Sequence, residues 1–285
     1  MNEDLERKRT SDLIDFYIKI RNYTIDKKIN KPKANLKDIS YIILTNDINE
    51  FAKSIVCLYD NKSIMGISSM VRISFERLLF LNHIIKKSSY AAAYYYSLQL
   101  TQLNYILNIE KDGEFLEKLA RLLGKNTQEL LNEVHAKFNR IDEQKKRDDL
   151  IQEYKNCFDY DLLDKDLFKK NWYDFDGKTP HLRELANKLR KHDEYLVNYE
   201  FLSSEIHSTT LGPNYVFDNI ENEQIIGILD DKTNLQNNQL LTYMNLILLE
   251  SIEILIKIYS LPLYFKKELR DILLRTINPN NLLRK

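Results

Sequence analysis

His207 closes the stretch EYLVNYEFLSSEIH, with Ser203 one turn before it and Ser204 alongside. A histidine titrates near neutrality and can give or take a proton, so these residue types raise the question of acid–base chemistry. Read as a helix, the segment stacks Tyr199, Ser203 and His207 at successive turns. Tyr195, Tyr199, Leu202 and Ile206 form an apolar stripe at spacings of four, three and four, the pattern of a helix that completes a core. Both readings stand at this point. A serine hydrolase is set aside, because there is no G-x-S-x-G elbow and neighbours on one helix seldom give a serine its oxyanion hole.

A second segment, SIMGISSMVRISFERLLFLNHII, is mostly apolar yet carries Arg72, Glu76, Arg77 and His83. At 100 degrees per residue, Arg72, Glu76 and His83 fall within about 40 degrees of one another. Charges on a buried helix need partners, so this stripe either pairs internally, Arg72 with Glu76 at i,i+4, or lines a polar pocket. A third cluster places Trp172, Tyr173 and Phe175 near Lys169, Lys170, Lys178, Arg183 and Arg190. Aromatic rings beside cations can stack and neutralise a single-stranded nucleic acid, with Trp172 and Arg183 as substrate-binding candidates. The alternative is an aromatic plug sealing a helix junction.

The elements that must position these groups are helical. Six glycines and five prolines in 285 residues, with apolar residues recurring at three and four, predict an all-α multi-helix bundle of about ten helices. The expected helices are 4–26, 36–59, 63–87, 89–110, 114–123, 127–155, 161–170, 180–190, 193–209, 235–260 and 263–275. Gly124 suits a left-handed helix end, and Asn126 with Glu129 reads as a capping box. Thr179 before Pro180 reads as an N-cap with proline at the first helical position. Gly212-Pro213 should stop the helix that carries His207. The segment 216–230 reads as a short hairpin or an irregular connector. The chain reads as a single helical domain over 1–285, with 111–170 as a candidate inserted helical subdomain.

Lys plus Arg and Asp plus Glu both total 42, which removes the electrostatic case for a dedicated polyanion coat. Cys57 and Cys157 lie far apart without metal-ligand spacing, and the chain has no phosphate-cradling glycine loop, so no metal and no cofactor are expected. The opening MNEDLERKRT lacks a secretory apolar run, which predicts a cytoplasmic protein. The apolar run near the C-terminus is interrupted by Glu250, Glu253 and Lys257 and reads as a buried or interface helix rather than a membrane span.

The order R-x3-E (Arg72, Glu76), then NWY, LRELA and Y-x3-Y-x2-LSSEIH resembles a widespread bacterial all-helical family of unknown function. That resemblance marks Arg72, Glu76, Trp172, Tyr199, Ser203 or Ser204, and His207. A looser one is to the HEPN-like helical ribonucleases of toxin and antiphage systems, through RLLFLNH from Arg77 to His83, with Leu78 in place of the usual polar residue. This implies a metal-independent ribonuclease acting as a defence or toxin effector on RNA. His207 or His83 would move the proton, Arg72 or Arg77 would hold the phosphate charge and Glu76 would orient one of them. It also implies a homodimer through the apolar C-terminal helix and a partner or inhibitor protein. The rival expectation is a non-enzymatic helical sensor or a partner- or ligand-binding module with a structural Arg/Glu/His cluster.

Overall fold

The computed structural model describes residues 3–29, 34–61, 64–137, 144–163, 166–203, 215–220, 223–228 and 230–277. The chain divides into two compact units, 1–82 with 186–285, and 83–185. Among the described residues every regular element is helical except a single antiparallel pair, β1 (Tyr215–Ile220) against β2 (Glu223–Ile228).

The first unit holds α1 (Glu3–Lys27), α2 (Leu36–Asp60), most of α3 (Ile64–Ile84), α9 (His192–Tyr195, continued by a π-helical segment Leu196–Phe201), α10 (Asp230–Ile258) and α11 (Leu263–Ile277). Its core follows helical spacing. Leu13, Phe16, Tyr17 and Ile20 of α1 meet stripes built from Tyr41, Leu44, Ile48 and Ile55 of α2 and Leu241, Met244, Leu248 and Ile252 of α10, all buried. Phe265 of α11 seals one end, its ring 6.2 Å from that of Phe16. Two polar contacts tie its helices together: the Tyr17 hydroxyl donates to Thr45 at 3.1 Å, and Asn245 Nδ2 donates to the Glu6 carboxylate at 2.9 Å, while both polar atoms of the buried Asn49 amide stay without a partner among the described residues.

The second unit holds α4 (Ser88–Lys111), α5 (Gly113–Leu122), α6 (Thr127–Lys137) and α7 (Gln144–Lys155). Leu100 and Leu103 pack with Leu150, Tyr154, Phe158 and Phe175, while among the described residues α5 and α6 bury Leu116, Ala120 and Leu130. The short helix α8 (Leu182–Lys188) begins in this unit and ends in the other.

Several expectations are corrected. The single helix 127–155 is two helices, α6 and α7. The described part of 161–170 is a run of turns, with Asp166 N–H donating to the Leu163 carbonyl and Lys169 and Lys170 N–H to the Asp166 carbonyl. Among the described residues of this stretch Leu162 and Leu167 are drawn into the core while Leu163 and Phe168 stay exposed, so no continuous apolar helix face is buried. Thr179 is not an N-cap. Its N–H donates to Asp174 Oδ1 at 2.6 Å and its hydroxyl to Asp176, closing a turn around Gly177, whose φ is +67°. The helix instead begins with the Leu185 N–H donating to the His181 carbonyl. Gly124 does sit at φ +67°, and the capping box is formed by Glu129 N–H to Asn126 Oδ1 at 2.8 Å and Asn126 N–H to Glu129 at 3.0 Å. Among the described residues no helix is long and apolar enough to cross a membrane.

Candidate functional site

α3 projects Arg72 and Glu76 one turn apart, yet no ion pair joins them among the described residues. Arg72 lies over the ring of Tyr199, its guanidinium carbon 4.7 Å from the centroid, and Nη2 donates to the Tyr199 hydroxyl at 3.3 Å. Its buried Nε has no partner. Tyr199 stands in the π-helical segment and stacks on Tyr195, with centroids 5.1 Å apart and planes 18° from parallel. Wider turns of this kind recur at functional positions because they re-aim side chains within a helix. Glu76 faces Arg77 at 3.4 Å, and Arg77 Nε lies 3.4 Å from Asp47 of α2. Burial pushes the Asp47 carboxyl above its usual range, and the charge of Arg77 opposes that push. Ser203 is partly buried at the end of the helix. Ser204 and His207 lie outside the described residues.

The other marked residues belong to the second unit. His83 is buried and stacks on Tyr90, with centroids 4.5 Å apart and planes 10° from parallel. Phe175 and Trp172 complete the cluster at 5.6 Å and 5.9 Å from His83, and Tyr94 meets Trp172 edge-on at 5.1 Å. The aromatic loop is therefore packed against a helix face. Arg183 is exposed on α8. Cys157 in the same core is buried, and burial pushes its thiol up to about 11, far from a reactive thiolate.

A groove of about 450 Å³ opens in the first unit. Phe75 and Leu78 of α3 and Tyr243, Leu246 and Ile247 of α10 form its apolar part, and Lys191, Glu194, Glu250 and Glu253 form its charged part. Lys191 Nζ donates to Glu194 at 2.6 Å and to Glu250 at 2.9 Å, and Asn82 Nδ2 donates to the other oxygen of Glu250 at 2.7 Å. Burial lowers the Lys191 pKa, but the two carboxylates outweigh it and the net shift is upward. Asn198 lines the groove at 8% exposure. Its Nδ2 donates to the Glu194 carbonyl at 3.0 Å, which fixes the amide orientation, and its Oδ1 has no partner.

The contacts order these residues along the groove. Asn82 and Lys191 both meet Glu250, whereas Arg72, ten residues earlier on α3, meets Tyr199, eight residues after Lys191. α3 and α9 are thus antiparallel. Tyr59, in the last turn of α2, reaches Asn238 near the start of α10. The carboxylates gather at one end, the apolar residues follow, and Asn198 lies about 10 Å from Lys191 toward the other end.

Sequence reasoning marked Arg72, Glu76 and Tyr199 but not Lys191, Asn198, Asn82 or Asp47. The usable signal was Glu250 and Glu253, two acids inside the most apolar run of the chain. No curated protein and no solved structure matches the chain. A family model matches residues 38–225, a span that includes Arg72, Lys191 and Asn198 and ends before Glu250, and the chain belongs to that family, a family of unknown function (DUF5677).

Proposed function

We propose that this chain is a non-enzymatic ligand-binding module whose working surface is the groove walled by α3, α9 and α10. The contact of Arg72 with Tyr199 then holds two of the groove's walls in register, and Arg77 ties α3 to Asp47 of α2. The observation that carries this reading is the buried Asn198 carbonyl without a partner beside a carboxylate-lined, apolar-floored groove. A buried acceptor left unsatisfied costs about 1 to 3 kcal/mol, and a ligand that donates to it recovers that cost. The groove volume falls in the range of small-molecule sites.

The ribonuclease reading asks for a histidine and an arginine converging on one phosphate in an open cleft with a basic rim. Arg72 is engaged by an aromatic face and Arg77 by Asp47 and Glu76. The groove presents three carboxylates against one lysine, which repels a phosphate backbone. These features favour binding over cleavage.

The test is induced expression of wild type, Arg72→Ala and His207→Ala in a bacterial host, each checked for folding, with growth and total RNA integrity scored. The reading expects intact RNA in every culture. RNA fragmentation by wild type that a folded Arg72→Ala or His207→Ala loses would overturn it.

A further inference from the structure

Resting on the binding-module reading, we infer that the groove takes a small organic ammonium ion with an apolar body and a hydrogen-bond donor at its far end. The charged end sets the sign of the head. Glu194, Glu250 and Glu253 line it against Lys191 alone, and Lys191 already engages the first two. Glu253 has no ionic partner among the described residues and sits three residues from Glu250 on α10, which places the two side chains on one face with their Cβ atoms about 5 to 6 Å apart. Lys191 displays how an ammonium is held here, between two carboxylates within 2.9 Å of both. Glu253 with the outer edge of Glu194 or Glu250 offers the same arrangement to a second ammonium.

The body of the ligand follows from the floor. Phe75, Leu78 and Ile247 are buried while Leu246 is 57% exposed, a large apolar side chain on the groove wall that water covers when the groove is empty. An alkyl or aromatic body laid over Leu246 removes that surface from water. A dication would place its second charge on this apolar stretch, so a single head is favoured.

The far end is set by Asn198. Its amide cannot flip without losing the bond to the Glu194 carbonyl, so the buried atom left without a partner at this end is an acceptor, and a ligand that reaches it must supply an O–H or N–H. Lys191 and Asn198 are seven residues apart, about 10 Å along the helix axis, so head and donor are separated by a body the size of one ring and a short chain.

The test is calorimetric titration of the full chain with three probes: tyramine, which carries all three features, phenethylamine, which lacks the distal hydroxyl, and 4-ethylphenol, which lacks the ammonium. On wild type, tyramine is expected to bind saturably at one site. Phenethylamine should be about five- to tenfold weaker and 4-ethylphenol at least about tenfold weaker. Asn198→Leu should bring tyramine down to phenethylamine. Glu253→Gln should weaken both amines, whereas Glu117→Gln on the remote helix α5 should change neither. The ranking on wild type needs no variant, so a variant that fails to fold leaves the test intact. Absence of saturable amine binding overturns the inference, as does 4-ethylphenol binding as tightly as tyramine. The second result would leave the groove a binding site with a neutral ligand, whereas RNA cleavage would remove the binding-module reading itself.

Discussion

Substituting Arg72 and Tyr199 singly and together asks whether the arginine is a structural partner of the ring or a free cation kept for chemistry. The guanidinium lies 4.7 Å from the Tyr199 centroid in a half-buried setting, which is worth about 1 kcal/mol. The Nη2 to hydroxyl bond is long at 3.3 Å, so it belongs at the low end for a charged donor, about 1 kcal/mol. The coupling between Arg72→Met and Tyr199→Leu should therefore be about 1 to 2 kcal/mol, and Tyr199→Phe, which keeps the ring, should retain roughly half of it. Methionine keeps most of the arginine stem, so lost packing does not enter as lost charge. Urea unfolding followed by far-UV circular dichroism measures it. Trp172, the single tryptophan, belongs to the other unit, so a transition seen in ellipticity and not in its fluorescence reports the unit that holds the pair. Coupling below about 0.3 kcal/mol would mean the two side chains are energetically independent, and the structural role assigned to Arg72 would fail.

Two further outcomes follow from the same structure. Burial pushes the phenols of Tyr17 and Tyr41 up to about 12, and also raises Tyr154 and Tyr259. A phenol that ionises near pH 10 unfolded but higher when folded holds its proton more tightly in the fold. Stability is thus full below pH 10 and falls as pH rises through about 12. Tyr17 alone accounts for about 2 to 3 kcal/mol of that loss, so Tyr17→Phe should flatten the decline, at a cost of about 1 kcal/mol at pH 8 from the lost bond to Thr45, readable in melts across this range. Asn126→Ala removes the N-cap of α6, worth about 1 kcal/mol. Among the described residues the core beneath α6 is the small cluster of Leu116, Ala120 and Leu130, so amide exchange should quicken across 127–137 and stay unchanged in α1 and α2.

How much of this was legible depends on how local each cause is. Leu13, Phe16, Tyr17 and Ile20 announce α1 by spacing alone, and Gly124 with Asn126 and Glu129 announces the turn into α6, because every bond involved spans a few residues. Thr179 misled because its N–H is taken by Asp174, an acceptor on the far side of a loop rather than the next helical turn. The π-helical turn at 196–201 was not legible. Tyr195 and Tyr199 are four apart in either kind of helix, and the wider turn is set by what surrounds it. Lys191 and Glu250 are 59 residues apart, and Arg72 and Tyr199 are 127 apart, so no periodicity joins them. What the chain did display was the anomaly at one end of the contact, a glutamate in an apolar run, without the lysine and asparagine that explain it.

The central claim is that the groove, and not the arginine cluster, is where this protein meets its ligand. Its most direct test is a two-dimensional amide and guanidinium NMR titration with tyramine, following the Asn198 side-chain amide and the Arg72 Nε–H together. The account predicts a progressive, saturable shift of the Asn198 signals with Arg72 Nε–H unmoved. A shift at Arg72 with Asn198 silent would contradict it.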